Sequence, residues 1–240
     1  MNETRIRLSP VVEREPRQAR MPLAHARRWI SPYEEGLEPA GSPDPARLVR
    51  RAEEVGAEPA ARVFVTQRCF VRVCAHAGSD LDNEVGGALV GRWRVDRESG
   101  ASFIVVEGAL RAHHTRHGSA YLTFTQDSLV AFHEELEQRY PEREIVGWYH
   151  THPRMGIFLS GYDTWLHEHF FPEPWQVALV IEPHSSTGGF FARRADGWLD
   201  PRRYFGFYEL ARGGRPSVVH WGNLQPETNL DLDFDLVQGG

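Results

Sequence analysis

The chain has 240 residues, 41% of them hydrophobic and 25% charged, with a formal net charge of -6. These totals suit one globular domain with appendages, and the acidic balance argues against nucleic acid as a partner. No apolar run approaches the roughly 18–20 residues of a membrane helix, and Met1 to Arg20 lack the apolar stretch of a secretory signal, so the reading is a cytoplasmic protein with no membrane partner.

Residues 1–61 hold half of the 16 prolines and show no sustained apolar period before Pro43. They read as an extended N-terminal arm, partly disordered or lying along the domain surface, with Trp29, Ile30 and Tyr33 as an anchor point and one short helix near 45–56. The domain itself is expected over 62–210. Arg62 to Thr66 reads as a strand and Arg68 to Ala77 as a helix, with apolar residues at Phe70, Val71, Val73 and Cys74. Cys69 and Cys74 do not form a CxxC pair and read as buried thiols of a reduced compartment. Val85 to Trp93 is a Gly-rich buried strand, and Phe103 to Leu110 a strand whose apolar run implies cover on both faces. Arg111 to Gly118 reads as a polar connection and Tyr121 to Phe124 as a short strand. A helix follows over Gln126 to Tyr140, with Leu129, Val130, Phe132, His133 and Leu136 inward. Glu144 to His150 is a strand, Ser160 to Phe170 a helix and Val177 to Ile181 a buried strand. Phe190 to Arg194 and Tyr204 to Leu210 suggest a terminal hairpin-like pair. Residues 211–240 form a C-terminal extension whose acids alternate with Leu230, Leu232, Phe234 and Leu236, as an edge strand or a mobile tail. The fold class is α/β in the mixed α+β sense: a curved mixed β-sheet flanked by helices.

Chemistry concentrates in Gly147-Trp148-Tyr149-His150-Thr151-His152-Pro153 and Ser160-Gly161-Tyr162-Asp163. A catalytic zinc ion takes three nitrogen or oxygen ligands and keeps one position open. His150 and His152, at i and i+2 of a strand, share a face and can aim at one ion. Asp163 can supply a carboxylate, and Pro153 ends the strand. Glu84, in Asn83-Glu84-Val85-Gly86-Gly87, is a candidate general base, and Ser160 a candidate hydroxyl donor to an oxyanion. A lone His-x-His is weak in a chain with 12 histidines; the joined pattern is far more specific.

That pattern resembles the JAMM motif of the JAB/MPN-domain zinc metalloproteases: an upstream Glu, His-Ser/Thr-His-Pro, six residues, Ser, two residues, Asp. Glu84, His150, Thr151, His152, Pro153, Ser160 and Asp163 match each element, and the resemblance covers roughly residues 62–210. Thr151 stands where serine is commoner, and strand alternation turns its side chain away from the metal. The resemblance implies an MPN/JAB (cytidine-deaminase-like) domain. It implies one Zn2+ held by His150, His152 and Asp163, with Glu84 and Ser160 catalytic. It also implies cleavage after the C-terminal Gly-Gly of a ubiquitin-like protein, in deconjugation or precursor processing, with conjugation-pathway enzymes as possible partners of the arm. Two alternatives stand beside it: a peptidase that releases a small amide or amino acid from a sulfur-carrier tail, and a non-catalytic MPN scaffold.

Weaker features follow. His113, His114 and His117 could form a second metal site or a substrate rim, though such loop histidines are more often solvated. His167 shares a helix face with Asp163 and could support the site; His169 reads as surface. Trp148 and Tyr149 read as packing or groove walls, and Arg154 and Met155 as contacts for a substrate tail. The closing Gly239-Gly240 could mimic a substrate end or arise by chance. All 27 basic residues are arginine, through arginine-rich coding or through avoidance of amine acceptors beside a lysine-conjugating system.

Overall fold

A computed structural model describes residues 16–34, 59–112, 115–118, 121–124, 126–211, 213 and 215–227. The strands are β1 (Gln18–Ala19), β2 (Ala26–Ile30), β3 (Arg62–Thr66), β4 (Gly86–Asp96), β5 (Ser102–Arg111), β6 (Thr115–Gly118), β7 (Tyr121–Phe124), β8 (Glu144–Thr151), β9 (Val177–Glu182), β10 (Thr187–Ala192), β11 (Phe207–Leu210) and β12 (Gln225–Pro226). The helices are α1 (Gln67–Ala77), α2 (Gln126–Arg139) and α3 (Gly161–Phe170). The main sheet runs β10-β9-β8-β4-β5-β3-β11-β2-β12, with β1 added in parallel to β4; β6 and β7 form a separate antiparallel pair. This is a mixed α+β architecture with a curled mixed sheet. No helix among the described residues is long and apolar enough to cross a membrane.

The curl is visible at the sheet's ends. Although β10 and β11 stand far apart in the strand order, Phe190 and Phe205 exchange backbone hydrogen bonds of 3.1 and 2.6 Å. The expected hairpin between Phe190–Arg194 and Tyr204–Leu210 is therefore corrected. β10 pairs with β9, β11 pairs with β3 and β2, and the backbone of the two stretches meets, among the described residues, at an isolated Phe190–Phe205 bridge. Glycines let the layers close tightly. A Cβ on Gly87 would lie 1.9 Å from the Leu110 carbonyl oxygen, in the neighbouring strand β5.

Helix α1 starts where Thr66 Oγ1 accepts the Cys69 N–H at 3.3 Å and stops at Gly78. It buries Cys69, Phe70, Val73, His76 and Ala77, a stripe of helical period, while Val71 points outward. That packing outweighs the β-branched residues that weaken its propensity. In α2, Phe132 is buried, but Val130 and His133 are exposed, contrary to the inward set read from the sequence.

Two stretches differ from expectation. The segment 115–118, read as connection, forms β6. Residues 16–34, read as part of the arm, are built into the sheet: β2 lies between β11 and β12, and Trp29 Nε1 donates to Glu209 Oε2 at 3.1 Å. Met21 packs with Phe64 and Phe103 on the far side of the sheet. The helix expected near 45–56, the acidic tail and Gly239-Gly240 lie outside the described residues, as do His113 and His114; His117 falls in β6.

Candidate metal centre

Strand β8 is the axis of the site. It lies between antiparallel β4 and parallel β9, so both of its edges are paired. Successive side chains alternate faces. Tyr149 points toward α1, where its hydroxyl meets His76 Nδ1 at 2.8 Å. Trp148 points toward α3, where its indole Nε1 donates to His167 Nδ1 at 3.1 Å. Both are fully buried, so they are packing residues and not groove walls. Trp148 also carries the His150 ring, stacked at 4.7 Å with an interplanar angle of 12°.

His150, His152 and Asp163 converge. His150 Nε2 is 2.9 Å from His152 Nε2, and the two nitrogens lie 3.4 and 3.7 Å from the Asp163 carboxylate oxygens. All three residues are buried. His152 Nδ1 lies 3.2 Å from the Gly156 carbonyl. A carbonyl only accepts, so Nδ1 bears the hydrogen and Nε2 offers its lone pair. With the hydrogen of His150 on Nδ1 as well, both Nε2 atoms would turn lone pairs toward one cation. Tetrahedral zinc with ligand bonds of about 2.0–2.1 Å spaces its donor atoms by about 3.3 Å. The observed spacings bracket that value, and the donor set of two imidazoles and a carboxylate is one zinc accepts. The residues therefore fit a metal ion of this class.

Asp163 is aimed by its own helix. Ser160 caps α3: its Oγ accepts the Asp163 N–H at 3.2 Å, and Ser160 N–H donates to Asp163 Oδ2 at 2.7 Å. This reciprocal box satisfies two donors of the first turn. Burial pushes the Asp163 pKa up, but His150 and the hydrogen bonds of His150, His152 and Ser160 outweigh it and hold the carboxyl well below its ordinary range. The sequence reading gave Ser160 an oxyanion role and missed the cap, although Ser-x-x-Asp ahead of a helical stretch is the signal for one.

Glu84 is buried at the end of the loop that enters β4. Gly86 is the register partner of His150. Glu84 lies two residues before that first register pair, where the chain enters β4 beside the end of β8. Thr151 supplies the link. Its side chain turns away from the His150–His152–Asp163 cluster, and its Oγ1 accepts the Val85 N–H at 2.9 Å while Thr151 N–H donates to the Val85 carbonyl at 2.9 Å. The hydroxyl thus pins the residue beside Glu84 to the strand that bears the two histidines. This role was missed in the sequence, where the common Ser/Thr choice at this position is its only trace.

Of the weaker candidates, His167 is fully buried, and burial, followed by the Arg193 charge, lowers its pKa to about 3, so it is a neutral partner of Trp148. His169 stacks on Trp165 at the surface. Arg154 and Met155 are exposed in the loop after His152, and Arg154 takes a left-handed φ of 63°.

Residues 59–171 match the family described as "JAB1/Mov34/MPN/PAD-1 ubiquitin protease". The chain is 33% identical over 178 residues to the NAD(+) hydrolase TcpA of Theionarchaea archaeon (strain DG-70-1), covering 57% of this chain and 53% of that protein. It is 32% identical over 126 residues to AMSH-like ubiquitin thioesterase 2 of Arabidopsis thaliana, covering 47% and 56%. Over 187 residues it is 24% identical to the 26S proteasome non-ATPase regulatory subunit 14 of Drosophila melanogaster, covering 78% and 55%. The chain thus spans about half the length of these relatives.

Proposed function

Since the chain is a JAB/MPN-domain protein, we propose that it is a zinc-dependent isopeptidase or peptidase that hydrolyses the amide bond after the C-terminal Gly-Gly of a ubiquitin-like protein. The observation that carries this reading is the buried His150–His152–Asp163 cluster with its converging donor atoms. His150 Nε2, His152 Nε2 and the Asp163 carboxylate would hold the ion. When bound, zinc supplies a Lewis acid and a water whose pKa approaches 7.

The remaining work falls to the chain. Glu84, buried two residues before Gly86, the register partner of His150, receives the proton of the attacking water and returns it to the leaving amine. Ser160 Oγ already accepts the Asp163 N–H, so its own hydrogen is directed elsewhere, toward a developing oxyanion. Trp148 and the strand pairing of β8 hold His150 rigid. A Gly-Gly substrate end, without side chains, suits a narrow approach to a site this buried. The free thiols of Cys69 and Cys74 suit the reducing cytoplasm.

The test uses purified zinc-loaded protein and ubiquitin-like fusions that carry an extension after Gly-Gly, read by intact mass. Cleavage after Gly-Gly is expected, with NAD+ in a parallel reaction left unchanged. His150→Ala should lose zinc and activity together. Glu84→Ala should keep zinc and lose hydrolysis. A folded, zinc-loaded protein that cleaves no such fusion, or that consumes NAD+ instead, refutes the proposal.

A further inference from the structure

We propose that Glu182, at the C-terminal end of β9, is a positioning residue for both halves of the site: the turn that aims His152 and the loop that bears Glu84. The inference rests on the metal-site reading above. Glu182 is an acid closing the buried run Val177–Glu182, and its side chain is 4% exposed. Oε1 accepts the N–H groups of Arg154 at 3.1 Å and His184 at 2.9 Å, and Oε2 accepts that of Ser185 at 2.7 Å. Among the described residues no arginine or histidine side chain forms an ion pair with it, so backbone N–H groups and the Ser185 side chain carry its charge. Burial pushes its pKa up; the Ser185 side chain and these N–H groups outweigh burial and hold it at about 2.

One branch leads to the ligand histidine. The Arg154 N–H held by Glu182 belongs to a residue in the left-handed region, φ 63°, which a non-glycine residue occupies only when its surroundings impose it. That conformation closes the turn in which Met155 N–H donates to the His152 carbonyl at 3.1 Å. The turn presents the Gly156 carbonyl to His152 Nδ1, and that bond orients the ring and fixes its tautomer.

The other branch leads to the base. Glu182 fixes His184 through its N–H, and His184 Nε2 meets the Leu81 carbonyl at 2.8 Å. Leu81 lies three residues before Glu84, in a loop tied internally by Asp80, whose carboxylate accepts from Asp82 and Asn83. The bland role for Glu182 is to close the β9–β10 turn, which the bonds to His184 and Ser185 accomplish. The bond to Arg154, 28 residues earlier in the chain, adds nothing to that turn.

The experiment compares wild type, Glu182→Gln and His184→Ala. Glu182→Gln keeps the shape but removes the charge and leaves one acceptor oxygen, so its amide N–H2 faces at least one of the three backbone donors. With the fold retained by near-UV circular dichroism, its zinc affinity, measured by competition with a chromophoric chelator, should fall by roughly 10–100-fold. In zinc-free protein, the 1H–15N spectrum of the His152 side chain should lose its single Nδ1–H tautomer. His184→Ala cuts only the second branch: zinc affinity and tautomer stay as in wild type, while Gly-Gly cleavage falls by roughly 10–100-fold. A folded Glu182→Gln protein with wild-type zinc affinity and tautomer overturns the inference. If wild type itself takes up no zinc, the proposed function fails, and the tautomer measurement still decides the role of Glu182. Should Glu182→Gln not fold, Glu182→Asp, one methylene shorter with its charge intact, carries the same measurements; collapse of both variants would assign Glu182 to the fold and overturn the proposal.

Discussion

Replacing Thr151 by valine tests whether the ligand strand and the Glu84 loop are joined as described. Valine keeps the branched shape of threonine at a fully buried position and removes only the hydroxyl. The Val85 N–H, now 2.9 Å from Thr151 Oγ1, is left facing a methyl group. An unmet buried donor costs about 1–3 kcal/mol, and the part-buried setting of this bond puts the expected loss in the lower half of that range. In a chain of this size each kcal/mol moves the melting temperature by roughly 2–4 °C, so a drop of about 2–8 °C is expected. Thr151→Ser retains the hydroxyl and should recover most of the loss. Zinc uptake should stay unchanged in both variants, because the side chain faces away from the ligands, whereas hydrolysis should fall in Thr151→Val, because Glu84 loses its anchor. Thermal and urea unfolding, followed by metal analysis and the fusion-cleavage assay, measure all three. Equal stability of wild type and Thr151→Val, or a serine variant no better than valine, would refute the reasoning.

Gly87→Ala should destabilise the domain by at least the 1–3 kcal/mol typical of overpacking, since the added Cβ meets backbone atoms of Leu110 at 1.9 Å, which cannot swing aside; the urea midpoint measures it. Trp148→Phe keeps the ring against His150 but removes the N–H given to His167, at a cost of about 1–3 kcal/mol, read by thermal unfolding with zinc affinity expected to weaken as His150 loosens. Glu209 is 1% exposed; burial raises its pKa, but donation from Ser217, Gln67, Val218 and Trp29 outweighs burial and lowers it below the ordinary 4.5. A group depressed in the folded state stabilises it above the ordinary pKa, and that contribution is lost as pH falls through the folded value. Glu209→Gln should therefore flatten the acid limb of a stability–pH curve below about pH 4.5, and an unchanged limb would count against this assignment.

The centre of the domain was legible because its determinants are local. His150 and His152 sit two apart on a strand, Ser160 and Asp163 three apart at a helix start, and Thr66 and Gly78 bracket α1. Each of these leaves a spacing in the sequence. What escaped was held by distant partners. The strand Ala26–Ile30 shows in the sequence as an anchor at Trp29 and Ile30 but not as a strand: two of its five residues are arginines, one in cation–π contact with Tyr208 at 4.6 Å, so its apolar alternation is broken. The stretches Phe190–Arg194 and Tyr204–Leu210 read as a hairpin because neighbours in sequence usually pair; here each prefers an earlier strand. Thr151 and Glu182 escaped for another reason. Their partners are backbone N–H groups, which every residue but proline owns, so nothing in the residue types marks the bond.

The position of β2 has a consequence for how the chain comes into being. Trp29 and its partner Glu209 are separated by 180 residues, and β2 lies between two strands from the C-terminal part, β11 and β12. On the ribosome, at about 5–20 residues per second, β2 waits roughly 10–40 s before its first strand partner is synthesised. Until then neither of the two strands that flank it in the sheet exists. Completing this edge of the sheet thus means seating an early-made strand into a late-made slot.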